Sequence, residues 1–312
     1  MRRGGGWDGP PVRSAMDWPE MRTRYAWLPP HRGTTATGAH QIGVSFSAHG
    51  SVVRQVGRRT TRGAIRAGTT FVTGPEPIYW TDVAEPTEAL EIYPGPSLLA
   101  GLADREPRVD PAAGGRDWVT FGLASIIKRV HVADRPLTDI EASTLVHRLV
   151  EHLGDRYYGT TEPERAGRLA PRAVDRVGRY VDAHLAGPIT LSGLAAQASL
   201  SPYHFARAFK ATTGLPPHRF VNTCRLERAK NALLHSPATV AEVAYAVGFI
   251  NVSHFRRLFR RELGVLPGQL RRDRNNGPSP GRPGLSGSPH DAAPVPVLQR
   301  GHPAGRHRPP GG

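Results

Sequence analysis

The spacing of apolar residues divides this chain into two kinds of territory. From about residue 24 to 101 they alternate. In HQIGVSFSAHG, Ile42, Val44 and Phe46 interleave with Gln41, Gly43 and Ser45, while TTFVTGPEPIYWTDV and EALEIYPGP are short apolar runs bounded by Gly, Pro or Asp. A period of two marks half-buried strands. Strands this short, separated by turn residues, predict a small antiparallel barrel or sandwich. From residue 117 the period becomes helical. Val119, Leu123, Ile126, Ile127 and Val130 form one stripe, and Ile140, Leu145, Leu149 and Leu153 form another. Joined by ADRPLTD, they predict an antiparallel helical hairpin over 117–154. Beyond residue 172 every segment reads as helix: Val174, Val177, Val181 and Leu185 share a face, and Thr190, Ser201 and Thr239 stand where helices begin.

The ends lack large apolar residues and are punctuated by Gly and Pro, so residues 1–20 and 275–312 are expected to be disordered. Between them the pattern places a mostly β domain over 21–158, a linker over 159–171 and an all-α domain over 172–274. With 312 residues, 38% hydrophobic and 21% charged, the chain can fill two ordinary cores. Its net charge of +15 makes polyanions the natural partners. Nearly all the cations are Arg; Lys occurs only at 128, 210 and 230. A single cysteine, Cys224, excludes an internal disulfide framework and a cysteine-based zinc site, and it reads as a packed thiol within a helix. No stretch approaches the roughly 20 apolar residues of a membrane span. The opening MRRGGGWDGPPVR has no apolar signal-peptide core, so a soluble, cytoplasmic protein with no membrane partner is expected.

The all-α region says nearly the same thing twice. Thr190, Leu194, Ala195, Ala198 and Leu200 match Thr239, Val243, Ala244, Val247 and Phe249 at an offset of 49. After one inserted residue, His204, Phe205, Arg207, Phe209, Lys210, Gly214 and Pro217 match His254, Phe255, Arg257, Phe259, Arg260, Gly264 and Pro267 at an offset of 50. This is a duplicated unit of helix, tight turn and helix.

At 100° per residue the second helix of each copy has two distinct sides. Phe205, Ala208, Phe209 and Thr212 fall together, opposite Tyr203, Ala206, Arg207 and Lys210. In the second copy Phe255, Leu258 and Phe259 oppose Ser253, Arg256, Arg257 and Arg260. A basic outer face on one helix is ordinarily just solvated, but solvation gives no reason for matched charge in matched phase. Such helices fit the major groove of double-stranded DNA. Arg207 and Arg257 are therefore expected to read bases, with Tyr203, Val252, Ser253 and Arg256 beside them. Lys210, Arg260 and Arg261, a turn later, are expected to hold phosphates. Residues 172–274 carry sixteen Lys or Arg against six Asp or Glu, so charge concentrates where the repeat lies.

The segments RLERAKNALL, VAYAVGF and SHFRRLFRRELGVLP, set in the repeat, resemble the DNA-binding domain of AraC/XylS-type transcription regulators over roughly 172–272. The resemblance implies two helix-turn-helix units joined by a long helix over about 218–235, entering successive major grooves. It implies an activator or repressor, with RNA polymerase as a possible further partner. Ser199 departs from the pattern, standing where the turn favours Gly as at Gly248, and Ala206 offers a base no polar group. The β-rich region followed by a helix pair resembles the cupin-like sensing and dimerisation domain that precedes this module. That likeness implies a small-molecule effector pocket, for which Phe46, Phe71, Tyr79, Trp80 and Tyr93 are the candidates, and a homodimer through the helical hairpin. Two rivals stand beside this reading. One is a regulator without an effector; the other is a metal-dependent cupin enzyme carrying a nucleic-acid module. The enzyme needs a His-x-His pair, a carboxylate and a third His. His31, His40 and His49 supply no such pair, so no catalytic residue, metal or cofactor is expected. Glu88 and Glu91 read as surface or turn carboxylates.

Overall fold

The computed structural model describes residues 13–28, 30, 33–96, 114–133, 137–159 and 167–270. The expected tail over 275–312, most of the expected linker and His31 lie outside them.

Among the described residues, ten short strands fill the N-terminal half: β1 (Arg13–Trp18), β2 (Met21–Leu28), β3 (Thr35–Ala36), β4 (Ile42–Ser45), β5 (His49–Val56), β6 (Arg59–Ile65), β7 (Thr69–Val72), β8 (Ile78–Thr81), β9 (Thr87–Pro94) and β10 (Gly115–Arg116). They form a six-stranded sheet in the order β1-β2-β9-β4-β7-β10 and a four-stranded sheet in the order β3-β8-β5-β6. All the pairings are antiparallel. Strand β1 corrects the expectation of disorder through residue 20. Ser14, Met16 and Trp18 alternate inward, and six residues pair with β2. So polar an edge strand needs its neighbour's hydrogen bonds to form.

Alternation gives the larger sheet one deeply buried face, made by Thr23, Tyr25 and Trp27 of β2, Leu90 and Ile92 of β9, and Ile42 and Val44 of β4. Helix α1 (Trp118–Ala133) packs on it and pairs with α2 (Asp139–Leu153) as the expected hairpin. Asp117 starts α1, accepting hydrogen bonds from the N–H groups of Val119 and Thr120, each at 3.0 Å. Burial works to raise the Asp117 carboxyl, but the His152 ring at 2.7 Å and the Thr120 bonds outweigh it and hold the group well below the usual carboxylate range. The stripe Leu145, Leu149 and Leu153 is buried within the chain itself, and only Ile140 stays exposed.

Among the described residues a short π-helical turn (Gly154–Tyr158) follows α2, and the remaining α-helices are α3 (Pro171–His184), α4 (Leu191–Ala196), α5 (Pro202–Thr213), α6 (Pro217–His235), α7 (Val240–Ala246) and α8 (Val252–Leu263). The starts expected at Thr190, Ser201 and Thr239 are the observed N-caps of α4, α5 and α7. Two large cores result. One runs from the sheet face through α1 into α3, α4 and α5; the other joins α6, α7 and α8 around Phe255 and Phe259. Trp27, from β2, sits in the second core.

Where these halves meet, four charges are buried together. Glu88 of β9 contacts Lys128 of α1 at 2.5 Å and also Lys230 of α6; Glu227 of α6 contacts Lys128 at 2.7 Å and Lys230. Tyr25 donates to Glu88 at 2.8 Å, and Lys230 donates to the Phe46 carbonyl at 2.9 Å. Glu88 is thus a fully buried ion-pair partner, which corrects its reading as a surface carboxylate. Burial works to raise its pKa, but the two ammonium groups outweigh this and lower it to about 2. Burial likewise opposes the Lys128 charge, and Glu227 and Glu88 outweigh it, so that pKa is raised.

Candidate nucleic-acid interface

Each repeated unit is built by capping at both ends of its second helix. In the first, the Ser201 hydroxyl accepts from the His204 N–H, Pro202 begins α5, and Gly214 closes it at φ 77°. In the second, Asn251 Oδ1 accepts from the His254 N–H at 2.8 Å and Gly264 closes α8 at φ 74°. The turns ahead of them demand a left-handed residue. Gly248 supplies φ 88°, and a Cβ there would stand 2.4 Å from the Leu185 carbonyl oxygen and 2.8 Å from Arg225 Nη2. The equivalent Ser199 adopts φ 55°, so the first turn carries strain that the second avoids.

The faces divide as the periodicity predicts. Phe205, Ala208 and Phe209 of α5 and Phe255, Leu258 and Phe259 of α8 are buried. Tyr203, Arg207, Lys210, Ser253, Arg256, Arg257, Arg260 and Arg261 are exposed. No element of the described chain covers either cationic front. Arg207 Nη1 lies 3.4 Å from the Tyr203 hydroxyl, with the guanidinium 5.8 Å from the Tyr203 ring centroid, so these two side chains stand together. An open groove of about 520 Å³ runs beside them, over Ile189, Leu194 and Val221. Arg256, Arg257 and Arg260 have no partner among the described residues. Arg261 is engaged by Glu262 at 2.9 Å, and Val252 is half-buried against the second core. Cys224 is buried, and burial pushes its thiol well up.

Sequence reasoning missed Ile250. It is 95% exposed immediately before the Asn251 cap, beside α7, whose Tyr245 is 57% exposed. The available signal was the insertion itself, because Ile250 is the residue that changes the repeat offset from 49 to 50.

The five aromatic residues expected around one effector pocket are not brought together. Phe46 is buried on the helix-facing side, its ring 5.9 Å from Phe121. Tyr79 neighbours Trp80 in β8 and so points the other way, 40% exposed. Phe71 and Trp80 do meet, edge to face at 4.8 Å between the sheets. Tyr93 donates to Glu91 at 2.9 Å, and burial, then Glu91, raises its pKa to about 12. Among the described residues nothing lies within 4 Å of where a Cβ on Gly43 would stand. Gly43 pairs with Phe71 on one side and Glu91 on the other.

Two capped helices with matched, uncovered cationic faces on a shared scaffold define a double helix-turn-helix module. Residues 194–273 match the family model described as a helix-turn-helix domain. Over 96 residues the chain is 38% identical to the HTH-type transcriptional activator RhaS of Escherichia coli strain SE11, covering 31% of this chain and 34% of that protein. The RhaS of strain K12 / DH10B gives the same figures. The chain thus spans about a third of the length of the curated relatives it matches. Among solved structures, a probable AraC family transcriptional regulator from Rhodopseudomonas palustris CGA009 is 33% identical, covering 33% of this chain and 96% of that one at a TM-score of 0.31. The DNA-binding domain of AdpA, in complex with a target DNA, is 32% identical over 32% of this chain and 90% of that one, also at 0.31. The C-terminal region is an AraC/XylS-type helix-turn-helix domain.

Proposed function

We propose that the chain is a sequence-specific DNA-binding regulator of transcription whose N-terminal half accepts a small-molecule effector. The observation that carries the DNA reading is the pair Arg207 and Arg257, fifty residues apart, exposed at the same place on helices whose opposite sides are core. Arginine at mid-face suits bidentate contact with guanine O6 and N7, and Lys210, Arg260 and Arg261 suit phosphates. Ser253 and Arg256 flank Arg257 at the groove edge, Tyr203 steers Arg207, and Val252 offers only its exposed methyl surface. Arg261 serves phosphate after exchanging Glu262. Two such helices in successive major grooves imply half-sites about 34 Å apart on one face of the duplex.

The effector reading is supported by the uncrowded Gly43, which no described atom approaches within 4 Å of a Cβ position and which lies between Phe71 and Glu91, in a half that shares a core with the DNA-binding units. An effector shifts promoter occupancy only through its differential affinity for two arrangements of the chain. Selection of bound fragments from genomic DNA tests the first reading; recovery of no common sequence overturns it. Thermal-shift screening against small metabolites tests the second, and a flat response favours a regulator without an effector.

A further inference from the structure

By sequence α1 belongs to the N-terminal half, yet it lies against the closing glycine of both recognition helices. Gly214 and Gly264 are one position of the repeat, and each is left-handed. A Cβ on Gly214 would stand 2.7 Å from Ile126 Cδ1 and 3.0 Å from Leu123 Cδ2; one on Gly264 would stand 2.8 Å from Val132 Cγ1. Gly122 completes the first contact, since a Cβ there would meet the Thr213 carbonyl oxygen at 2.6 Å. From Gly122 to Val132 the helix spans about 15 Å at its standard rise. Between these two docking points α1 is pinned lengthwise. Lys128 holds Glu227 and Glu88, and Arg129 holds Glu262 of α8 at 3.5 Å.

We propose that α1 is a gauge that sets the separation and relative rotation of α5 and α8, with Gly122, Ile126 and Val132 as its positioning residues. Helix α6 joins the two units in sequence, but α1 touches equivalent points of both and ties them to the sheet. Binding through two modules rewards the half-site spacing that matches the protein. The register of α1 therefore selects which spacing is read, a consequence that rests on the DNA-binding reading above.

The test uses the full chain with His204→Cys and His254→Cys, equivalent exposed positions, carrying spin labels; Cys224 is buried and stays unlabelled. Pulsed dipolar spectroscopy then measures the distance between α5 and α8. The gauge predicts one narrow distribution, shifted or broadened by Gly122→Ala at the first unit and by Val132→Ala at the second. Leu145→Ala, a comparable core loss on α2, leaves it unchanged. Val132→Ala removes only two methyl groups, so it retains the fold if Gly122→Ala does not. An unaltered distribution in folded Val132→Ala, or an equal change in Leu145→Ala, overturns the proposal. On selected DNA the preference for native spacing over spacing changed by one base pair falls about tenfold in the gauge variants. Fragments without paired half-sites would sink the DNA reading, while the spin-label distances would still judge the gauge.

Discussion

Arg207 and Arg257 owe their reach to what lies behind them. Phe205 and Phe209, or Phe255 and Phe259, fix each helix in the core and leave the guanidinium on the free side. Exchange of either arginine for Ala should cost about 1–3 kcal/mol on the selected site and relax base preference at one position. Lys210→Ala should weaken all sequences alike and reduce the salt slope by about one unit, as a phosphate contact does. Titrations on cognate and scrambled duplexes at several salt concentrations separate the two behaviours. The paired turns give a second comparison. A left-handed non-glycine residue costs about 1–2 kcal/mol, and glycine adds about 0.5–1 kcal/mol of chain entropy, so Ser199→Gly should stabilise by about 0.5 kcal/mol. Gly248→Ala should cost at least about 2 kcal/mol, because its Cβ also displaces the Leu185 carbonyl. Denaturant unfolding reads both. These residues were legible because capping, handedness and helical period are local properties. Ile250 was overlooked because an exposed apolar side chain leaves no periodic trace.

Among the elements, the meeting of β9, α1 and α6 carries the largest electrostatic stake. Removing one member of a buried ion group strands the others, so Glu88→Gln should destabilise by about 3–5 kcal/mol. Acid should act in the same direction. The pKa of Glu88 is depressed from 4.5 to about 2, so its contribution is complete above about 4.5 and is lost as pH falls toward 2. His131, held by Thr23 and Ser14 at 2.9 Å each, is lowered by burial from 6.5 to about 4. The unfolded chain takes up that proton first, so stability already declines as pH drops from 6.5 to 4. Unfolding free energies measured from pH 7 down to 3 should show both declines, and His131→Gln should remove only the upper one. Part of this was visible in the chain. Glu88 alternates in step with Leu90 and Ile92, which puts it on their buried face. Its partners at 128, 227 and 230 were not visible, since no local pattern ties a strand to helices so far along the sequence. Lysine does supply a hint in hindsight: two of the three in this arginine-rich chain are the buried ones.

At the scale of the whole molecule, the order of strands then helices was readable from periodicity, while the sharing of cores between them was not. Trp27 reads as one more strand residue, yet it is fully buried in the core cluster that also holds Leu226, Leu233, Leu258 and Phe259. Trp27→Ala should cost about 3–5 kcal/mol. Hydrogen exchange should place the damage in the amides of α8 as well as β2, whereas a loss confined to β2 would contradict this packing. The position of that tryptophan also bears on biosynthesis. Leu270, in the same cluster, is made some 240 residues after Trp27, which at about 5–20 residues per second leaves the indole waiting on the order of tens of seconds for its neighbours. A ribosome that stalls before the second unit releases a sheet with an unfilled seat, a ready target for chaperones and proteases.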